Sequence, residues 1–219
     1  SGSIPYQQYI LGPTDSLATL LKGYGYETRA FHPGEQTSWQ RNIAYPRLGF
    51  DSFKCGEDMD VPQTEEHGYV SDDSDFEQII WEFEHKDEST PLFLFNVTIQ
   101  NHGSYTVEDY PAEVQLADEP GAYPKAEQYL TLANKTDEAF KKLIDYFSAQ
   151  TEPTILVMFG DHQPSVEQEF LDKAYGVTQD EMTMAQYMDK FKVPFIIWAN
   201  YPLTGDSTKI TSLNFLAQY

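Results

Sequence analysis

The sequence predicts an α/β protein with a mostly parallel central sheet flanked by helices. Two observations predict this. First, the runs Leu92–Phe95, Ile155–Phe159 and Phe195–Ala199 are apolar at every position. A strand apolar on both faces suits an inner parallel strand covered on both sides. Second, these runs alternate with segments whose apolar residues recur at helical spacing.

The elements follow in order. Leu17, Leu20 and Leu21 lie at i, i+3 and i+4, so Ser16–Gly23 reads as a helix. Thr14, Asp15 and Ser16 offer capping side chains before it, and Gly23 and Gly25 stop it. Glu27–His32 reads as a short strand ending at Pro33. Gln36–Leu48 is partly helical, broken by Pro46. Cys55–Ser74 is acidic and weakly patterned, a surface loop. Asp75–Glu84 is a helix with Phe76, Ile79, Ile80 and Phe83 on one face, and acidic residues at its N-terminus suit the helix dipole. Pro91–Ile99 is a buried strand and Tyr105–Pro120 an acidic loop. Lys125–Ala149 carries a long helical stripe from Tyr129 to Phe147. Pro153–Phe159 is a second buried strand. Val166–Tyr175 and Gln179–Phe191 read as helices, and Val193–Ala199 as the third strand. No repeat or low-complexity linker interrupts the chain, so one domain over residues 1–219 is the simplest organisation.

Composition narrows the function. The chain has 219 residues, 14 Lys and Arg against 35 Asp and Glu, and a net charge of −21. Nucleic-acid binding needs a basic face and is excluded as a reading. Adsorption to an anionic membrane surface is disfavoured for the same reason. At 40% hydrophobic residues the chain can build a core, yet no stretch approaches the ~20 apolar residues of a membrane span. The N-terminal Ser1-Gly2-Ser3 is no signal peptide. The single Cys55 permits no internal disulfide, and only Lys54 stands near to activate it.

In parallel α/β sheets, sites form at the C-terminal ends of strands. Two of the apolar runs end in polar clusters. Asp161-His162 follows Gly160, and a carboxylate beside an imidazole can offer an oxygen and a nitrogen to one metal ion. The plainer alternative is a strand-to-helix turn with Asp161 as N-cap. His102, in Asn101-His102-Gly103, can bind a phosphate or polarise a leaving group, or be an ordinary loop histidine. Trp39-Gln40-Arg41 sets a guanidinium two residues from an indole. Arg41 can clamp a phosphate while Trp39 covers an apolar face. Alternatively, Trp39 packs inward and Arg41 makes a surface ion pair. His32 reads best as a turn histidine before Pro33, and His67 and His85 receive no role. The acidic runs Glu57–Asp60 and Asp72–Glu77 lack EF-hand spacing and read as solvated faces.

The motifs form a recognisable order. Gly25-Tyr26-Glu27-Thr28, Phe31-His32, Ser38-Trp39-Gln40-Arg41 and Leu48-Gly49-Phe50-Asp51-Ser52-Phe53 come first. Asn96-Val97-Thr98-Ile99-Gln100-Asn101-His102, Phe159-Gly160-Asp161-His162 and Val193–Asn200 follow. Together they resemble the lipoteichoic acid synthase family, sulfatase-like phosphoglycerol transferases of the alkaline phosphatase superfamily. The resemblance runs over almost the whole chain.

It implies a truncated sulfatase or alkaline-phosphatase-like fold. It also implies a divalent cation, usually manganese, held by a Glu, a nucleophilic Thr and the pair matching Asp161 and His162. Trp39, Arg41 and His102 match the family's substrate-binding positions. The implied reaction moves glycerol phosphate from phosphatidylglycerol, through a phospho-threonine, to a glycan or polymer acceptor. The implied location is the extracellular face of the cell membrane, anchored by transmembrane helices outside this chain. The family's Glu and Thr precede the region that Ser1–Leu21 resembles, and its domain continues beyond Tyr219. The chain is therefore expected to be an internal fragment of the catalytic domain, inactive alone, holding metal weakly or not at all. A sulfatase or phosphodiesterase on the same fold, and a non-catalytic cell-wall-binding relative, are the alternatives.

Overall fold

A computed structural model describes residues 4–108, 110–204 and 210–212. In chain order the elements are α1 Pro5–Gln8, α2 Leu17–Gly23, β1 Glu27–His32, α3 Arg41–Arg47 and β2 Ser52–Cys55. Then come β3 Glu65–Glu66, β4 Tyr69–Val70, α4 Asp72–Glu84, β5 Leu92–Asn96 and α5 Pro124–Ser148. The series ends with β6 Ile155–Phe159, α6 Gln168–Tyr175, α7 Met184–Asp189 and β7 Phe195–Ala199. They divide into two compact units. One comprises residues through Gln63, Glu77–Thr98 and residues from Pro202 onward; the other comprises Thr64–Phe76 and Ile99–Tyr201.

The first unit carries the expected parallel sheet, in the order β2-β1-β5. Strand β1 sits between its neighbours, with Arg29 opposite Ser52 on one side and Leu94 on the other. Helix α2 starts where the capping residues place it. The Ser16 hydroxyl accepts from the Ala18 and Thr19 amides, and the Thr19 hydroxyl accepts from the Ser16 amide at 2.9 Å. Tyr45 of α3 is fully buried, and Phe50, Phe53 and Phe95 meet its ring edge-on at 4.8–6.1 Å.

A buried carboxylate ties this unit's strands to α4. Glu82, 2% exposed, pairs with Arg29 of β1 and with Lys54 of β2, the latter at 2.8 Å. Lys54 also reaches Asp60 at 2.6 Å and lies 4.3 Å above the Trp81 ring. Burial alone would lower the Lys54 pKa, but Asp60 and Glu82 together hold it above its ordinary value.

In the second unit, a two-residue turn at His67–Gly68 joins β3 and β4, with Glu66 opposite Tyr69. Both turn residues have positive φ, +38° and +92°, the signature of a type I′ hairpin turn. Helix α4 begins three residues earlier than its hydrophobic pattern suggests. Asp72 and Asp75 are not on a solvated face but fully buried. The Asp72 amide donates to the Gln100 side chain at 2.9 Å, and its carboxylate accepts from the Thr136 hydroxyl at 2.6 Å. Those distant partners compensate the lost hydration. The segment before α4 is also more ordered than the expected loop, since it holds β2 and the β3–β4 hairpin.

Strands β6 and β7 differ from expectation in their pairing. They form an antiparallel pair, from Ile155 opposite Ala199 to Phe159 opposite Phe195. They are not covered on both faces either: Ile155, Val157, Phe159 and Ile196 are 38–50% exposed. An apolar run carries no information on strand direction, which depends on where the connection returns. Here Asn200 fixes that return. Its amide donates to the carbonyls of Phe147, Gln150 and Glu152, and its oxygen accepts from the Thr154 amide. Among the described residues, no helix is long and apolar enough to cross a membrane.

Glu82→Ala leaves Arg29 and Lys54 each short of a buried partner. We expect a loss of about 2 kcal/mol in urea unfolding, whereas Glu88→Ala, at an exposed position, changes it little. Equal stability of the two variants would show that Glu82 does not anchor α4.

Candidate functional site

Trp39 and Arg41 stand at the entry to α3, in the first unit. Trp39 and Gln40 both adopt left-handed backbone, φ +59° and +58°. Such conformations are strained for residues other than glycine. This kink inverts the arrangement that an unbroken amphipathic helix would give. Trp39 is 49% exposed, while Arg41 is 8% exposed. The guanidinium lies 5.6 Å from the indole centroid, and its Nη1 donates to the Ser38 carbonyl at 3.3 Å. Its buried Nε has no hydrogen-bond partner among the described residues, and none of their carboxylates pairs with it. Among the described residues this cation is therefore buried without a counter-charge, in a chain of net charge −21.

His102 stands in the second unit, exposed, on the segment that follows β5. Its Nδ1–H donates to the Gly103 carbonyl at 2.7 Å, and the Tyr69 hydroxyl lies 3.4 Å from the same nitrogen. The neutral ring therefore presents Nε2 as its free lone pair.

Asp161 and His162 follow β6. Gly160 is required there by close approach: a Cβ would sit 3.2 Å from the Val193 Cβ. The His162 Nδ1–H donates to the Gln163 carbonyl at 2.9 Å, which leaves Nε2 as an acceptor 3.4 Å from Asp161 Oδ2. The other Asp161 oxygen accepts from the His162 amide at 2.8 Å. A ring nitrogen turned outward by a backbone hydrogen bond on its opposite side is how metal-binding histidines are held. The pair thus fits two positions of a cation site. Both side chains are more than three-quarters exposed, and no group of three His, Cys, Asp or Glu among the described residues could hold a metal ion.

Tyr105, which the sequence did not single out, links these clusters. Its hydroxyl donates to the Asn101 carbonyl at 2.8 Å, next to His102. Burial, then Tyr129, then the Asp161 carboxylate push its phenol up to about 12. His102 and Asp161 thus fall in one unit, and Trp39 with Arg41 in the other. The density of tyrosines around His102 was the available signal, and the His-Gly turn another.

The remaining candidates are structural. His32 is buried and its Nδ1–H donates to the Val97 carbonyl at 2.7 Å. His85 stacks on Trp81 at 4.1 Å. Cys55 is buried, and that burial and then Asp58 push its thiol up, away from thiolate reactivity.

Comparison with known proteins gives a consistent set. The sulfatase family model matches residues 1–218. A putative cyclic β-1,2-glucan modification protein of Rhizobium meliloti is 34% identical over 222 residues, covering 97% of this chain and 34% of that protein. Lipoteichoic acid synthase-like YvgJ of Bacillus subtilis is 28% identical over 181 residues, covering 81% of this chain and 28% of that protein. Among solved structures, the phosphoglycerol transferase GacH of Streptococcus pyogenes, in complex with sn-glycerol-1-phosphate, superposes with a TM-score of 0.70. It shares 21% identity over 91% of this chain and 50% of that one. The lipoteichoic acid synthase LtaP of Listeria monocytogenes gives a TM-score of 0.68 at 19% identity, over 88% and 48%. The chain spans about a third of the glucan-modification relative and half of the GacH chain.

The Tyr105 phenol holds its proton more tightly in the folded state than the ordinary value near 10. Its contribution to stability is present below pH ~10 and is lost as the pH rises toward 12. Asp161→Asn removes one of the causes, so the Tyr105 titration followed by NMR should move down by a few tenths, less at high salt. An unmoved titration would separate Asp161 from the His102 cluster.

Proposed function

This chain belongs to the sulfatase family, and from that premise we propose that it is part of a phosphoglycerol transferase of the lipoteichoic acid synthase kind. The reaction is transfer of glycerol phosphate from phosphatidylglycerol to a glycan or polymer acceptor. The observation that carries this reading is Arg41, a buried guanidinium with no carboxylate paired to it among the described residues, beside an exposed indole. In the proposed complex Arg41 takes the phosphodiester oxygens through its fork, and Trp39 covers the glycerol carbons. His102, in the second unit, presents Nε2 as an acceptor suited to a phosphate or a leaving group. An oligosaccharide acceptor in this reading draws support from a relative described as a putative cyclic β-1,2-glucan modification protein, 34% identical to this chain.

Asp161 and His162 would hold a divalent cation, manganese in this reading. When bound, such an ion stabilises negative charge on phosphoryl oxygens and lowers the pKa of an attacking hydroxyl. Two protein ligands leave most positions of that ion open. We assign the remaining Glu ligand, the attacking Thr and the anchoring helices to parts of the relatives that this chain does not cover. The acting site then faces the outside of the cell membrane, and the isolated chain is inactive.

In the intact protein, Arg41→Ala should lower kcat/KM for release of glycerol phosphate by about 10²-fold, with Arg41→Lys between it and the parent. Circular dichroism confirms that the variants fold. Undiminished turnover in Arg41→Ala would sink the assignment. The isolated chain, supplied with manganese, should show no turnover of phosphatidylglycerol. Turnover by it would overturn the claim that the nucleophile lies elsewhere.

A further inference from the structure

The β3–β4 hairpin contains an uncommon arrangement that the reading above does not use. His67 occupies left-handed backbone at φ +38°, where a residue other than glycine is strained. Its Nε2 lies 2.5 Å from the Gln100 carbonyl. A carbonyl only accepts, so Nε2 carries the proton and Nδ1 carries the lone pair. That Nδ1 is buried with no hydrogen-bond partner among the described residues. The ring is instead walled by Tyr69, Tyr110 and Tyr105, at centroid distances of 5.1, 6.0 and 6.4 Å. Turn strain and an unsatisfied ring nitrogen are both unfavourable. What offsets them is the hydrogen bond to Gln100.

The grip on Gln100 falls two residues before His102. Gln100 is itself 1% exposed, and its amide donates to the Leu132 carbonyl and the Thr136 hydroxyl, each at 3.2 Å. The same hairpin sends Tyr69 to the His102 ring, 5.7 Å away and edge-on, with its hydroxyl 3.4 Å from Nδ1. His102 is therefore confined on its Nδ1 side by the Gly103 carbonyl and by Tyr69, while the backbone leading to it is gripped by His67.

We propose that the His67–Gly68 turn is a positioning device for His102. His67 and Tyr69 are positioning residues that hold the imidazole as its Nδ1–H tautomer with Nε2 outward as the working atom. The functional value of this rests on the reading of His102 as a substrate-facing residue; the tautomer does not.

The test uses histidine 15N-labelled chain at a pH where the imidazoles are neutral. Two-bond 1H–15N correlation spectra report which ring nitrogen carries the proton. His102 should be predominantly Nδ1–H and His67 predominantly Nε2–H. His67→Ala should return His102 toward the Nε2–H form that unrestrained imidazoles favour. His67→Asn tolerates left-handed backbone and keeps an amide donor, so it should restore the Nδ1–H form. Tyr69→Phe keeps the ring wall and should preserve most of it. In the intact enzyme, His67→Ala should lower kcat about tenfold with little change in KM, and His67→Asn should recover most of that loss. An Nε2–H tautomer at His102 in the parent, or a tautomer and kcat indifferent to His67→Ala, overturns the proposal. If His67→Ala does not fold, failure of folded His67→Asn to keep the Nδ1–H form does the same. Should the tautomers behave as stated while the intact protein transfers no glycerol phosphate, the positioning stands and the transferase reading falls.

Discussion

One buried amide side chain organises the second unit. Gln100 accepts from the first amide of α4 and donates to two groups of α5, while its backbone carbonyl receives His67 of the hairpin. Two stretches of chain, residues 67–72 and 132–136, thus meet on one residue that is almost free of solvent. Inside a low-dielectric core each of these bonds is strong, and each would be costly to leave unmade. Hydrophobic contacts tolerate sliding. This network does not, because each of its hydrogen bonds needs its partners at a set distance and direction. His102 follows two residues later and inherits that precision.

The apolar framework was legible in the sequence because it depends on local periodicity. The stripe in α5, the Ser16 cap and strand β1 were all placed to within a residue or two. The parallel sheet around β1 was legible as a fold class. The direction of β6 and β7 was not, since it is set by Asn200 and its three carbonyl partners rather than by the apolar run itself. The burial of Asp72 and Asp75 was also hidden. A carboxylate in an acidic run reads as solvated unless its partners are known, and those of Asp72 lie 28 and 64 residues away. At the candidate site, Asp161 with His162 and Trp39 with Arg41 were legible as pairs. Their postures were not. Nothing in Trp39-Gln40 marks two consecutive left-handed residues, yet that kink decides which of Trp39 and Arg41 faces solvent.

Charge gives the site its selectivity problem. In the proposed reading an anionic lipid approaching a chain of net charge −21 would be repelled at long range, so recognition would have to come from short-range, desolvated contacts. Arg41 is the residue proposed to make them. Other cations such as Lys54 and Lys135 are each paired with two carboxylates, and their positive charge is spent locally. Arg41 is held by a carbonyl and an indole, neither of which neutralises it. In the proposed reading that charge is what meets the phosphate, in a setting where water screens it least.

His102 and His162 share one construction: each donates Nδ1–H to the carbonyl of the next residue. That bond gives each ring its Nδ1–H tautomer, at His102 with the added hold of the His67–Gly68 hairpin and Tyr69, so both rings arrive with Nε2 as acceptor. At His162 that acceptor faces a carboxylate oxygen 3.4 Å away. Two acceptors so close attract nothing in each other; they are compatible only because water screens them, and both are exposed. Burying them would make the pair unfavourable unless a proton or a cation stood between them. In the proposed reading a cation there would gain two ligands already oriented, at little cost in side-chain ordering. Exposure and weak affinity of the pair alone would then be two sides of one arrangement: the ligands are aimed in advance, and tight binding would need further oxygen donors that exclude the water screening them.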